Sequence, residues 1–290
     1  MRLLTYLFFI LCCARVFACE VMDDLQHVVT LSHPAKRIIS LAPDATENLF
    51  AVGAGDRIVG VMQGSDYPLA AKKIPVIARY NAIDTEIILS LHPDLIVAWS
   101  NGVNMKQLEK RGIAVYVSRP RKLTDIPITL KKLGCLVGNE KMANEVANAY
   151  LQRYSLLSKQ YTQKKPVTVF YQLWSSPLMT ITKQSWINEA INFCGGKNIF
   201  ENLKTTAPEV TIESVIVKNP DMIVGADKKD DWKKSWQSWK NLRAVKHQLL
   251  MSVDPDLIER ASVRLLDGVS QLCTSMDYAR KQLAYENVTY

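Results

Sequence analysis

The chain has 290 residues, 48% hydrophobic and 22% charged, an ordinary globular composition with length enough for two domains. Its 36 Lys and Arg exceed its 28 Asp and Glu, but outside 228–240 the lysines are dispersed. Such diffuse charge reads as a soluble surface and argues against a nucleic-acid partner.

Arg2, the apolar run over 3–13 and the small-residue site Val16-Phe17-Ala18 predict a secretory signal peptide, 1–18, with an apolar core too short to span a bilayer. Cleavage makes Cys19 the first mature residue. Val-Phe-Ala-Cys also loosely matches a lipoprotein box, so lipid anchoring at Cys19 is the alternative; the bulk of Phe17 favours plain cleavage. Loss of Arg2 and Arg15 leaves 34 basic residues against 28 acidic ones, a mature net charge of +6. Loss of Cys12 and Cys13 leaves Cys19, Cys135, Cys194 and Cys273. Disulfides persist in exported proteins, and four cysteines allow three pairings. A bond between Cys194 and Cys273 would close a long loop, stabilising by about 4 kcal/mol on the chain-entropy argument. Cys135 taken alone reads as a buried, unpaired thiol.

Residues 37–41 predict a strand, 42–46 a turn and helix start, and 47–52 a helix closed by Gly53 and Gly55. Strands follow at 57–61 and 113–117, the latter after a helix around 105–111. This alternation implies a mostly parallel sheet covered on both faces. Met142, Val146, Tyr150, Tyr154, Leu157 and Tyr161 recur at helical spacing without Pro or Gly, predicting one amphipathic helix over 138–163, about 38 Å long. After Pro166 come a strand over 167–173 and a helix over 182–193 that ends at Gly195-Gly196. Trp232, Trp236 and Trp239 fall on one face of a further helix, where core packing is the favoured reading. A last helix covers 262–283.

Two segments repeat one pattern. DTEIILSLHPDLIVA (84–98) and TIESVIVKNPDMIVGA (211–226) each place a Glu, Glu86 or Glu213, seven residues before a Pro-Asp pair and a β-branched run. Two copies are too few for a solenoid and fit two similar α/β lobes, each presenting one Glu at an equivalent point. Chemistry of catalysis is not visible. His27, His33, His92 and His247 are scattered, and no H-E-x-x-H, Cys-x-x-Cys, dinucleotide loop, P-loop or G-x-S-x-G occurs. These absences favour a binding protein without a metal site or catalytic residues; an exported hydrolase is the distant alternative.

RIISLAPDATENLFAVG (37–53), SDYP (65–68), LHPDLIVAW (91–99), FCGGKNIF (193–200) and ERASVR (259–264) resemble the periplasmic solute-binding proteins of cobalamin and iron-siderophore ABC importers, nearest to the cobalamin branch. The resemblance runs over 37–283. It implies a class III periplasmic binding protein fold, two α/β lobes with mostly parallel sheets joined by one long backbone helix. The expected division is a first lobe at 19–136, the helix at 137–165 and a second lobe at 166–290.

The family further implies a periplasmic monomer without a cofactor that captures a corrinoid between the lobes and docks on a dimeric inner-membrane permease. Docking uses one acidic residue per lobe facing permease arginines, positions that Glu86 and Glu213 occupy. Without the family, both read as glutamates favoured by a helix N-terminus. Among ligand contacts, Tyr67 and Trp99 match the family. Tyr80 stands where a Trp is expected. Met179, Ala207 and Leu257 replace Phe, Trp and Trp, and Gly64 replaces a Tyr. Trp174 is an additional aromatic, and Arg260 of ERASVR completes the expected set. Cys194 and Cys273 match the family's second-lobe cysteine pair. Tyr80 also supports haem or a ferric siderophore as the alternative ligand, since haem-binding relatives carry an iron-ligating Tyr at a matching place.

Overall fold

The computed structural model describes residues 18–80, 82–99, 105–161 and 164–286. The predicted signal peptide up to residue 17 lies outside them.

The first half builds a six-stranded sheet. Its spatial order is Ala82–Ile83, Val76–Arg79, Ile58–Met62, Ile38–Leu41, Leu95–Ala98 and Ala114–Val117. All neighbours run parallel except the short return Ala82–Ile83. The second half builds a four-stranded parallel sheet in the order Gly196–Asn198, Val167–Gln172, Met222–Gly225 and Leu250–Ser252. Every residue of Ile38–Leu41, Leu95–Ala98 and Met222–Gly225 is buried, as a parallel sheet covered on both faces requires. A hairpin of Cys19–Met22 and Val28–Leu31 precedes the first sheet and was not evident from the periodicity.

Pro43 opens the helix Pro43–Ala51, and Gly53 ends it at φ +76°, donating its N–H to Phe50 O. A side chain at Gly53 would collide with Asn139 and Met142, so the glycine also admits the start of the long helix. That helix is Glu140–Tyr161, 22 residues or about 33 Å, and begins after Gly138 at φ +66°. It is shorter at its start than the predicted span. Its buried stripe is Ala143, Ala147, Tyr150 and Tyr161, one register away from the predicted Met142, which is exposed. The reason is the helix Asp125–Leu136: Gly134 lies so close to Ala143 that only small residues fit between the two axes. Farther along the long helix, Arg153 pairs with Asp267 of the last helix at 2.5 Å.

Three predicted elements shift. The helix expected over 182–193 is Trp186–Phe193, because Ser185 caps it by accepting from Ile187 N while Thr182 Oγ1 donates to Thr205 O. The tryptophan helix breaks into a 3-10 turn, Asp231–Lys233, and a single turn, Lys234–Gln237. Trp232 and Trp236 bury against Phe170 and Phe200, whereas Trp239 lies beyond the turn and is exposed. The last helix is Leu265–Glu286, with 262–264 outside it and bonded to the first half.

Cys194 is disulfide-bonded to Cys273, and Cys19 to Cys135. The second bond corrects the expectation of an unpaired thiol at Cys135. The N-terminal hairpin packs on Asp125–Leu136, which brings the two sulfurs together across 116 residues of sequence.

Candidate ligand-binding site

Ligands of open α/β sheets bind beyond the carboxyl ends of the strands. The sequence-predicted aromatics sit there in both sheets. Tyr80 directly follows Val76–Arg79, Trp99 directly follows Leu95–Ala98, and Tyr67 stands in the loop leaving Ile58–Met62. Trp174 lies two residues past Val167–Gln172, in a hairpin where it pairs with Met179. These rings are open to solvent: Tyr67 44%, Tyr80 80%, Trp99 41% and Trp174 62%.

Tyr80 and Trp99 leave strands separated by two others, roughly 14 Å apart at sheet spacing. Their ring centroids are nevertheless 6.2 Å apart with planes inclined by 36°, forming one aromatic platform. On the second sheet, Trp174 borders a cavity of about 460 Å³ that also involves Gln172, Gly225, Asp227 and Trp232. Gln172 is buried and takes a hydrogen bond from Trp236 Nε1 while donating to Ser175 Oγ, which fixes the strand end beneath Trp174. Gly64, at φ +91°, uses a backbone conformation that a tyrosine there would strain.

An ion cluster joins the two halves near Tyr67. Glu47 lies on Pro43–Ala51, and its side chain is fully buried. It accepts from Arg260 Nη1 at 3.0 Å, Arg264 Nε at 2.9 Å, Arg264 Nη2 at 2.5 Å and Ser262 Oγ at 2.6 Å. The adjacent Asn48 donates to Ala261 O and accepts from Val263 N. Arg260, expected among the ligand contacts, directs Nη1 also to Asp66 and Nη2 to Asp256, both at 2.7 Å, and its side chain is 12% exposed. Its donors therefore brace carboxylates of both halves.

Burial in this cluster shifts its acids in different directions. Desolvation pushes Asp44 up to about 6, reinforced by the charge of Glu47. Desolvation likewise pushes Glu259 up to about 7 despite a hydrogen bond from Tyr171, with Asp256 adding repulsion. For Asp66 the desolvation is outweighed by Arg260, whose hydrogen bond and charge hold the carboxyl below its ordinary value.

The repeated segments are repeated structures. Glu86 stands in the first turn of Thr85–Ser90, capped by Asp84, and Glu213 in the first turn of Ile212–Lys218, capped by Thr211. Each helix leads to a left-handed residue before the proline, His92 at φ +47° and Asn219 at φ +44°. The following Asp then locks the start of the neighbouring strand: Asp94 accepts from Lys36 N and Arg37 N, and Asp221 from Thr168 N and Oγ1. Both glutamates are exposed. Both helices run back from the carboxyl ends of their sheets, so the two acids stand on the same side as the aromatic rings. Among the described residues, no group of three or more His, Cys, Asp or Glu is disposed to hold a metal ion.

Sequence reasoning passed over Glu47 and Arg264. Glu47 carried no local signal, since Asp44, Thr46 and Asn48 share its helix; for Arg264 the signal was a second arginine four residues after Arg260.

Comparison with known proteins agrees with this geometry. Residues 38–257 match the periplasmic binding protein family. The vitamin B12-binding protein of Vibrio cholerae serotype O1 is 35% identical over 272 residues, covering 92% of this chain and 99% of the relative. The crystal structure of the periplasmic vitamin B12 binding protein of Vibrio cholerae superposes with a TM-score of 0.81 at 35% identity, covering 86% of this chain and 99% of that one. A possible iron-binding periplasmic solute-binding protein from Staphylococcus epidermidis follows with a TM-score of 0.72 at 28% identity, covering 83% and 98%. With two mostly parallel sheets separated in sequence by one long helix, and the family match over most of its length, the chain belongs to the periplasmic binding protein family.

Proposed function

We propose that this protein is the substrate-capturing component of an ABC importer, not an enzyme, and that it holds cobalamin or a related corrinoid between its lobes as transported cargo. The observation that carries the reading is the placement of exposed rings. Of six exposed aromatic side chains among the described residues, Tyr67, Tyr80, Trp99 and Trp174 stand beyond the carboxyl ends of strands, drawn from both sheets. A broad, flat, largely apolar macrocycle is the ligand class such faces suit. The vitamin B12-binding relatives, at 35% identity over almost their whole length, point the same way.

In this reading the lobes are 19–136 and 166–290, joined by the helix segment 137–165. Tyr67, Tyr80, Trp99, Trp174 and Met179 contact the ligand, and Arg260 braces the cleft floor beneath them. Glu86 and Glu213 face arginines of the two subunits of an inner-membrane permease. The protein works as a periplasmic monomer after removal of residues 1–18. A sulfur in a disulfide cannot also carry the thioether of a lipid anchor, so the bond between Cys19 and Cys135 supports plain cleavage over lipidation.

One observation favours a second ligand. The phenol of Tyr80 is open to solvent, as an iron-ligating tyrosinate in a haem or ferric siderophore carrier would have to be. Titration of the purified protein with cyanocobalamin and with haemin separates the two. Corrinoid capture requires saturable, equimolar cyanocobalamin binding that Trp99→Ala and Tyr80→Ala each weaken by roughly 1–3 kcal/mol, while Tyr80→Phe changes it little. Haemin binding with an iron–phenolate band that Tyr80→Phe abolishes, and no cyanocobalamin binding, would replace the first reading by the second.

A further inference from the structure

Tyr67 is held unlike the other exposed rings. One face of it is covered by the Arg264 guanidinium, whose central carbon lies 3.7 Å from the ring centroid. The residue still exposes 44% of its surface, so ring surface not covered by the guanidinium remains open. The two residues before it are anchored as well. Ser65 Oγ accepts from Thr46 Oγ1 at 3.0 Å, and Asp66 accepts from Arg260 at 2.7 Å.

Arg264 is itself immobilised. Its Nε and Nη2 form a two-point fork with the buried Glu47 carboxylate, and Nη2 also reaches Asp256 O at 3.3 Å. A planar guanidinium gripped at two points cannot tilt without breaking charge-assisted hydrogen bonds, and a ring stacked on it takes its orientation from that plane. Arg264 and Tyr67 come from opposite halves of the chain. So does the pair of Arg264 with Glu47.

We propose that Arg264 is a positioning residue for ligand capture: it fixes the plane of Tyr67 so that the uncovered face of the ring is presented to the ligand before the ligand arrives. This rests on Tyr67 being a ligand contact, as read under Proposed function. The contact that braces the two halves thereby also prepares the aromatic surface. An unrestrained tyrosine on a surface loop would have to be ordered on binding, at a cost of roughly two- to tenfold in affinity.

The test is a mutant cycle read by cyanocobalamin titration, with haemin in a parallel arm. Arg264→Gln is combined with wild-type Tyr67, Tyr67→Phe and Tyr67→Ala, and Trp99→Ala serves as the cleft control. Arg264→Gln should weaken binding about fivefold in wild type and equally in Tyr67→Phe, whose ring stacks the same way, with no further loss in Tyr67→Ala. A fivefold loss that persists in Tyr67→Ala would overturn the proposal, because Arg264 would then act through the fold alone. So would the absence of any loss in wild type. Should Arg264→Gln fail to fold, the same cycle with Arg264→Lys keeps a cation near the ring without the two-point fork, and the loss should again depend on the ring. If Tyr67→Ala binds normally while Trp99→Ala is impaired, this inference fails and the cleft reading stands. If neither changes affinity for either ligand, the cleft reading itself fails.

Discussion

Glu47 is the most exacting place to perturb the fold. Its carboxylate, fully buried, takes four hydrogen bonds from Arg260, Ser262 and Arg264, all in the other half of the chain. Glu47→Gln keeps the shape but replaces one acceptor oxygen by an NH2 group that faces donors. Arg260 would retain Asp66 and Asp256. Arg264 would retain the Asp256 carbonyl, the Tyr67 ring and the one remaining side-chain oxygen at position 47, so one largely buried cation loses its carboxylate. Breaking a buried pair by removing one partner costs about 3–5 kcal/mol. Because the Arg264 side chain is 19% exposed, water relieves part of this, and we expect about 2–4 kcal/mol. At about 2–4 °C per kcal/mol for a chain of this size, Tm should fall by roughly 5–15 °C. Urea unfolding followed by tryptophan fluorescence, together with calorimetry, measures both quantities. A loss below about 0.5 kcal/mol, the range of ordinary surface changes, would refute the view that this cluster holds the halves together.

If Glu86 and Glu213 dock as proposed, Glu86→Arg and Glu213→Arg should each weaken binding to the reconstituted permease at least tenfold while leaving cyanocobalamin affinity unchanged. If ligand affinity falls and permease binding survives, both residues line the cleft. Non-reducing peptide mapping should recover Cys194 with Cys273 and Cys19 with Cys135; replacing the first pair by alanines should destabilise by up to about 4.5 kcal/mol for a loop closed across 79 residues. Recovery of any other pairing would contradict the chain path of one half. Glu259 has a folded value of about 7 against 4.5 for the free side chain, so the folded state binds its proton more tightly and stability should decline as pH rises from about 4.5 to 7, then level off. Glu259→Gln should remove that decline, gaining on the order of 1–3 kcal/mol at pH 8 and little at pH 4.5; chemical denaturation at the two pH values checks it, and an equal effect at both would show that its charge is not the cause.

Local pattern determined much of this protein by itself. Short runs rich in β-branched residues at 38–41, 95–98 and 222–224 specify strands buried on both faces, because a parallel sheet covered by helices hides such runs. The helix, left-handed residue, Pro-Asp and strand unit recurs because each Asp must reach back to the start of the neighbouring strand, and that requirement fixes spacing in sequence as well as in space. The rings at strand ends were legible only through the family resemblance, which carried Tyr67, Tyr80 and Trp99 onto positions that follow strands directly or within a few residues. Tertiary structure decided what depends on partners distant in the chain. The partner of Cys135 lies 116 residues away, on a hairpin that no periodicity announces. The buried face of the long helix was set by the smallness of Gly134 on its neighbour. Above all, Glu47 and Arg264 are 217 residues apart, and nothing local distinguishes a carboxylate that will be buried against two guanidiniums from one that will face water. Desolvation and pairing are properties of the assembled halves, and only their apposition turns those charges into the buried cluster that joins them.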